Sequence, residues 1–163
     1  MNTRYKPGDY EARHNAPAWQ DRANFVVAAD IATSPETREW EQLWVRMISD
    51  KRFEICCIPF FAHGLALGDE VEVDDDYVVK RVLVASGHIT LRVWFGNSKD
   101  SVGRTRVMEL IDHEKCEHEW SSLNLLAIDA RTSTTAQGLV EALTVLRNEG
   151  AVEFETGENS PPG

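Results

Sequence analysis

A series of short segments with a two-residue apolar period, between positions 25 and 85, most constrains what this chain can fold into. Successive side chains in a strand point to opposite faces, so a half-buried strand is apolar at every second residue. One predicted β-hairpin has the inward residues Leu43, Val45, Met47, Phe53, Ile55 and Cys57. Further strands are predicted at 25–31, 70–73 and 77–85. With no helical pattern between them, residues 23–86 are expected to form a small curled β-sheet or barrel.

After Gly87 the pattern changes to strands that alternate with helices. The predicted elements are a strand at 89–95, a helix at 101–113, strands at 116–120 and 123–130, a helix from Thr134 or Thr135 to about Asn148, and a strand around Val152 and Phe154. The order β-α-β-β-α-β is that of a ferredoxin-like unit, in which two helices cover one face of a four-stranded sheet. The whole chain is therefore predicted to be α+β, with this unit at 87–156.

The two ends of the sequence lack any sustained apolar period. Residues 1–22 are polar and contain Pro7, Gly8 and Pro17, and residues 157–163 contain Pro161 and Pro162. Segments of this composition are poorly ordered unless something ties them down. We expect a flexible arm at 1–22 and a flexible tail at 157–163.

The charge of the chain argues against two classes of partner. Its 163 residues include 17 basic and 27 acidic side chains, a net charge of −10. The acidic excess is five in residues 1–86 (15 against 10) and five in residues 87–163 (12 against 7), so it belongs to the whole surface. Such a field repels nucleic-acid backbones and anionic lipid. Neither nucleic acid nor a membrane is an expected partner.

Apolar runs and cysteine usage indicate the compartment. No segment approaches the roughly 20 apolar residues of a membrane-spanning helix, and no basic start precedes an apolar run. The three cysteines include the adjacent pair Cys56 and Cys57 and the distant Cys116, which is not a disulfide framework. We expect reduced thiols and a cytoplasmic protein.

Two segments carry a resemblance to a known family. One runs from Ile58 to Val71 and has two glycines and Asp69 before a strand, and the other runs from Ser86 to Val93. Together they resemble the bacterial, actinomycete family of domain of unknown function 4265, over roughly Phe25 to Glu155. The family has no established activity. The resemblance implies a fold and a bacterial origin, and it supplies no catalytic residue.

Histidine and cysteine invite a metal-site hypothesis. Imidazole and thiolate are zinc ligands, and His113, Cys116 and His118 lie close in sequence, with His88 as a possible fourth. However, His113 belongs to a predicted helix end, and no second pair completes a tetrahedron. A solvated helix end and a packed cysteine explain these residues, and no metal is predicted.

Cysteine with histidine also suggests a thiol nucleophile. Cys56 and Cys57 precede His63, and an adjacent imidazole favours thiolate. Yet neighbouring strand residues face opposite ways, and no Asn or Asp is placed to orient His63. We expect at least one of these thiols to pack in the core, as a small apolar side chain does.

Glycines and carboxylates have structural explanations as well. Gly64 and Gly68 lack the lysine and the strand-to-helix setting of a phosphate-binding loop, and they are expected to permit tight turns. The acidic run Asp74–Asp76 lies in a predicted turn, and Glu117 and Glu119 are assigned to an outward strand face. We interpret these carboxylates as solvated surface.

The positions of four tryptophans allow two interpretations. Trp40, Trp44, Trp94 and Trp120 lie partly outside the main apolar faces. Aromatic residues in such places are enriched in binding hot spots. A packing layer between the two halves explains them as well, and we favour that layer because a two-part chain needs an interface.

The pattern as a whole favours binding over catalysis. We expect a non-enzymatic module that binds, and neutralises or regulates, a basic partner protein such as a toxin. The residues expected to contact the partner are Trp44, Phe60, Phe61, His63, Leu65 and Trp94. No catalytic residue, metal ligand or cofactor is predicted. Two alternatives stay open: a small-ligand-sensing regulatory protein, by analogy with ferredoxin-like domains, and a thiol- or metal-dependent enzyme.

Overall fold

The computed structural model describes residues 9–96 and 102–156, which form two β-sheets and two α-helices. The first sheet contains β1 (Tyr10–Ala12), β2 (Phe25–Asp30), β3 (Glu39–Ser49), β4 (Arg52–Ile55), β5 (Glu70–Val73) and β6 (Val79–Val84). The second contains β7 (Ile89–Trp94), β8 (Glu117–Trp120), β9 (Leu125–Ala130) and β10 (Glu153–Thr156), with α1 (Val102–Glu114) and α2 (Ser133–Asn148). The predicted α+β class is confirmed.

The first sheet is organised around the long strand β3. β2 pairs antiparallel along one edge of β3, while β1, in parallel, and β4, antiparallel, also pair with it. The sheet continues through β5 to β6. It curls until Ala28 of β2 forms an isolated parallel bridge with Val78, just before β6. Its core includes Phe53, Leu43 and Val71.

The second sheet has the strand order β10-β7-β9-β8, and the helices cover one of its faces. Leu91 and Val93 of β7 and Ile128 of β9 pack against Leu139 and the other buried residues of the helices. Thr132 caps α2 by accepting a hydrogen bond from the Thr135 backbone N–H, and Gly150, with φ of 77°, follows the helix end. Within the described ranges, neither helix is long and apolar enough to span a membrane.

The other face of the second sheet packs against the first half of the chain. The apolar part of this interface consists of Ile58, Phe60, Leu67 and Ala127, with Ala18, Trp19 and Phe61 beside it. We expected four tryptophans to form a packing layer between the two halves, but none of them belongs to this cluster: Trp40, Trp44, Trp94 and Trp120. Trp120 instead packs with the helices, and Trp40 donates its Nε1–H to Asp9 at 3.1 Å.

The N-terminal region differs from the expected flexible arm. Residues 1–8 and 157–163 lie outside the described residues, but residues 9–22 are held to the fold. β1 pairs with β3, and the Trp19 backbone N–H donates to the carbonyl of Cys56 at 3.0 Å. A buried histidine between these two anchors, His14, does most to fix the arm.

Candidate binding cleft

His14 lies between two buried carboxylates that come from the two sheets. Its Nε2 is 2.7 Å from Oε2 of Glu41 on β3, and its Nδ1 is 2.6 Å from Oε1 of Glu119 on β8. All three side chains are almost completely removed from solvent. The ring of Phe60 stacks on the imidazole, with centroids 4.1 Å apart. The Glu41–His14–Glu119 cluster therefore joins the N-terminal arm to both halves of the protein.

Backbone N–H groups satisfy the remaining carboxylate oxygens of this cluster. Glu41 accepts from the N–H groups of Phe60, Phe61 and Ala62 at 2.6–2.9 Å. Glu119 accepts from those of Ala18 and Ile58. Buried charges require such partners, since an unpaired one is strongly destabilising. The two glutamates thus fix the backbone of the segment 58–62.

The protonation states follow from the same contacts. Burial lowers the pKa of His14, but its interactions with Cys57, Glu119 and Glu41 overcome that effect and raise the pKa to about 12. Burial raises the pKa of Glu41, and the hydrogen bond and charge of His14 outweigh it, so that the pKa lies below its usual value. An imidazolium therefore lies between two carboxylates at neutral pH.

Next to this fixed segment lies a cleft of about 810 Å³. Its walls are the last two residues of β2, the first four residues of β6, the first two residues of β7 and the loop that follows Phe61. The lining residues include Ala29, Asp30, His63, Leu65, Lys80, Arg81, His88 and Thr90. The volume falls within the range of about 300–1,000 Å³ that is typical of ligand sites.

The cleft exists because β2 and β6 separate after their single bridge. The Ala28 backbone N–H donates to the Tyr77 carbonyl at 3.0 Å, next to the bridge between Ala28 and Val78. Beyond it, in the described ranges, β2 pairs only with β3 and β6 only with β5. The barrel is left open along one seam, and the cleft occupies that seam.

Asp69 anchors the loop that closes one end of the cleft. Its Oδ2 accepts from the Ala66 N–H at 2.9 Å, and its Oδ1 accepts from the Ser86 N–H at 2.8 Å. Gly68 has φ of 87°, and a Cβ placed there would lie 3.1 Å from Cβ of Ser86 and 3.2 Å from Cη2 of Trp19. The loop geometry needs glycine at this position.

One residue of the cleft wall, His88, is paired with the buried Asp129 behind it. Nδ1 of His88 is 2.8 Å from Oδ2 of Asp129, and the ring edge of Trp19 contacts the imidazole. Oδ1 of Asp129 is buried, with no hydrogen-bond partner in the described part of the chain. Burial raises the pKa of Asp129 to about 6, although His88 opposes the shift. His88 can exchange hydrogen bonds with a molecule in the cleft, while Asp129, which is 1% exposed, holds the imidazole from behind.

The six residues expected to contact a partner lie in different environments. Phe60 is 1% exposed and Leu65 7% exposed, so both side chains belong to the interior. His63 is exposed and lines the cleft with Leu65. Phe61 and Trp44 are half-buried, while Trp94 is 43% exposed and lies on the other sheet. Only His63 and Leu65 of the six line the cleft.

The thiols lie in environments that disfavour ionisation. Cys56 and Cys57 are both buried. Burial raises the pKa of Cys56 to about 12, that of Cys57 above its usual value, and that of Cys116 to about 11. Among residues 9–96 and 102–156, no three His, Cys, Asp or Glu side chains converge as metal ligands would.

Glu119 corrects one sequence interpretation, because it is buried at the interface and not on a solvated strand face. The patterns also failed to identify His14, Glu41 and Asp129. Glu41 did leave a signal, since it shares the face of Leu43 and Val45 at two-residue spacing and an inward carboxylate there needs a partner. His14 left none, because the arm has no periodic pattern.

The fold and the cleft define a class of two-sheet α+β protein whose first sheet curls and stays open between β2 and β6. The chain belongs to the family described as Domain of unknown function (DUF4265), whose model matches residues 41–154, as the resemblance predicted. It is also similar to the crystal structure of a hypothetical protein from Neisseria gonorrhoeae, with a TM-score of 0.67 and 18% identity over 81% of this chain and 94% of that one. None of the curated proteins matches the chain.

Proposed function

We propose that the protein is a non-enzymatic binding module that holds a segment of a basic partner protein in the cleft. The cleft carries the proposal, because it combines space for a ligand with two strand edges in a strongly acidic chain. An acidic surface attracts basic partners over long distances and speeds their encounter.

The local charges agree with this choice of partner. Lys80 and Arg81 line the cleft, but both lie within ion-pair distance of the same carboxylate, Glu72, at 3.7 and 3.2 Å. Asp30 and Asp69 are on the lining as well. Since Asp69 is buried and accepts two backbone N–H groups, Asp30 and Glu72 balance the two cations, and the cleft does not counteract the charge of −10.

The state of the polar groups favours binding over catalysis. The thiols are shielded, and burial raises the pKa of each. The two hydroxyls nearest in sequence to His88, those of Ser86 and Thr90, donate to the carbonyls of Leu67 and Leu65 at 2.7 and 3.5 Å. The His88–Asp129 pair thus has hydrogen-bonding capacity without an adjacent activated nucleophile in the described residues.

We further infer a bacterial, cytoplasmic protein whose second half is a ferredoxin-like unit. The order β10-β7-β9-β8, with both helices on one face, supports that unit, because it matches a split βαβ arrangement. The free cysteines support a reducing compartment. A toxin is one basic partner that such a module would neutralise.

A second candidate function is the sensing of a small ligand. It rests on His88, which lines the cleft and is hydrogen-bonded to Asp129, because a titratable side chain in a cleft that is held by a buried carboxyl group with a raised pKa is a candidate ligand contact. In this case the cleft would take a small polar molecule, and the acidic surface would serve only solubility.

The proposed function is tested by capture of partners from the native host, followed by stopped-flow association at several salt concentrations. We expect a basic partner whose association rate falls as salt rises, because screening shortens the field to about 8 Å at physiological ionic strength. Asp30→Lys should slow association more than Asp50→Lys, a matched change at an exposed residue of the β3–β4 turn. An acidic partner, a rate indifferent to salt, or equal effects of the two variants would contradict the proposal.

A further inference from the structure

We propose that the partner's segment binds in extended conformation as an additional β-strand along the outer edge of β6. This inference rests on the proposed function and specifies how the cleft holds its ligand. In strand addition, main-chain hydrogen bonds supply affinity, and alternate side chains supply specificity.

The unpaired edge of β6 is the first observation. β6 pairs with β5 along one side only, and on its other side the isolated bridge at Val78 precedes the strand. From Val79 to Val84, the described part of the chain places no strand on that side. Unpaired N–H and C=O groups in such a row are a template for another strand.

The opposite wall of the cleft provides a second edge. Among the residues that the structure describes, β2 pairs with β3, and its one bridge to the chain before β6 is at Ala28. The bridge is parallel, so both strands run from it in the same direction, and Ala29 and Asp30 line the cleft together with Val79 to Val82. Neighbouring strands lie about 4.8 Å apart. A strand inserted here would continue the sheet from β6 and approach β2.

The side chains of the edge are the third observation. Leu83 is 38% exposed and Val84 46% exposed, next to each other at the end of β6. Edge strands in monomeric proteins usually carry charges that prevent pairing. Here Lys80 and Arg81 make exposed ion pairs with Glu72, and the positions that follow them in β6 are apolar. An added strand would cover Leu83 and Val84.

The net charge of the chain favours a basic ligand at the β6 edge over a second copy of this protein. A second copy of this chain would bring another net charge of −10 to the same seam, and the two copies would repel each other. A basic segment of another protein is attracted by the same field. The expected ligand is therefore an extended segment in which Lys or Arg alternates with β-branched residues and proline is absent.

The test uses a library of random peptides of about eight residues, near the usual strand length, displayed and selected on the purified full chain. We expect basic, proline-free sequences, and we expect hydrogen exchange to show new protection of the amides in Val79–Val84. Acidic or proline-rich selected peptides, protection elsewhere, or failure to select any peptide would overturn the inference.

A pair of matched variants separates edge pairing from general electrostatics. Leu83→Lys with Val84→Lys should weaken binding of the selected peptides by about tenfold or more, a free-energy change of about 1.4 kcal/mol. Met47→Lys with Ile48→Lys makes the same charge change at residues that are 41% and 40% exposed on β3, and it should have little effect. Equal weakening by the two pairs contradicts strand addition.

Two further outcomes distinguish this inference from the proposed function. If a basic host partner binds both variants as well as the wild type, the binding module stands and strand addition on β6 is wrong. If sedimentation shows dimers that Leu83→Lys with Val84→Lys abolishes, a second copy occupies the edge and the inference is also wrong. If the host partner is acidic, the proposed function itself fails.

Discussion

His14 and Glu119, 105 residues apart in the chain, are joined by a contact of 2.6 Å between Nδ1 and Oε1. The contact connects the N-terminal arm to β8 of the second sheet, while the other imidazole nitrogen is held by Glu41 of the first. This imidazolium therefore adds a charged link between the two sheets to the apolar interface around Ile58 and Ala127.

Replacement of His14 by Ala should destabilise the protein by about 3–5 kcal/mol, the usual effect of removing one partner from a buried ionic cluster. The change leaves Glu41 and Glu119 buried next to each other with no cation between them. Urea denaturation measures the loss. His63→Ala is the control, since His63 is exposed and the free energy of unfolding should change by about 0.5 kcal/mol or less. Equal stability of the two variants would show that the cluster is not stabilising.

Stability should fall as the pH rises above neutrality, because of His14. Its pKa is about 12 in the folded protein against 6.5 for an unperturbed histidine, so the folded chain holds an extra proton between these values. The contribution is complete below pH 6.5 and is lost progressively as the pH rises toward 12.

From about pH 7 to 8, one such proton gives a decrease of about 1.0 to 1.3 kcal/mol per pH unit in the free energy of unfolding. The three thiols, with an ordinary pKa of 9.0 and raised values in the folded protein, add a smaller slope of the same sign in this window. His14→Gln should therefore remove most of the slope, which denaturation curves at several pH values measure. A wild-type slope that the variant retains would contradict a buried imidazolium.

Gly68→Ala should be more destabilising than Gly87→Ala. Both glycines have positive φ, 87° and 89°, and a side chain in that region is strained by about 1–2 kcal/mol. Only at Gly68 would the new Cβ also crowd Ser86 and Trp19, whereas nothing lies within 4 Å at Gly87. Thermal denaturation of the two variants measures the difference. Equal melting temperatures would mean that the loop around Gly68 adjusts to the new Cβ without loss of stability.

Cys56 and Cys57 should react with a thiol reagent only when the protein unfolds, because both are buried and burial raises their pKa values. Cys116 is half-buried, with a pKa of about 11, and should react slowly in the folded protein. Labelling reactions that are quenched at increasing urea concentrations, followed by mass spectrometry of each cysteine, give the order in which the three thiols become reactive. Fast labelling of Cys57 in the native state would restore the thiol-enzyme alternative. Cys→Ser replacements should likewise affect stability more than any cellular phenotype.

Local patterns were sufficient for most of the secondary structure. The alternation around Leu43 and Phe53 predicted β3 and β4, and the spacing of Val107 and Ile111 predicted α1, since these signals depend on neighbours in sequence. The ends of the elements shifted by a few residues. β3, for example, begins at Glu39, because its first residues pair with β1 and β2, which no local pattern records.

The candidate site was much less predictable, since its contacts join distant parts of the chain. Asp129 lies in an apolar strand of the second sheet, and its role depends on His88, 41 residues earlier. Phe60 and Leu65 were expected at a surface because the connection between β4 and β5 has no period. Glu41 and the segment 58–62 instead bind each other, and that draws Phe60 into the interior.

The position of His14 also sets an order of events during synthesis. The arm is made first, and β3 with Glu41 soon afterwards, but the second carboxylate belongs to β8 and is translated only after more than half of the chain. Contacts of such large sequence separation form late and slow folding. The first sheet can form while translation continues. The contact between His14 of the N-terminal arm and the second sheet forms only after Glu119 has been translated. A nascent chain that stops before β8 holds His14 through Glu41 alone, although β1 can already pair with β3.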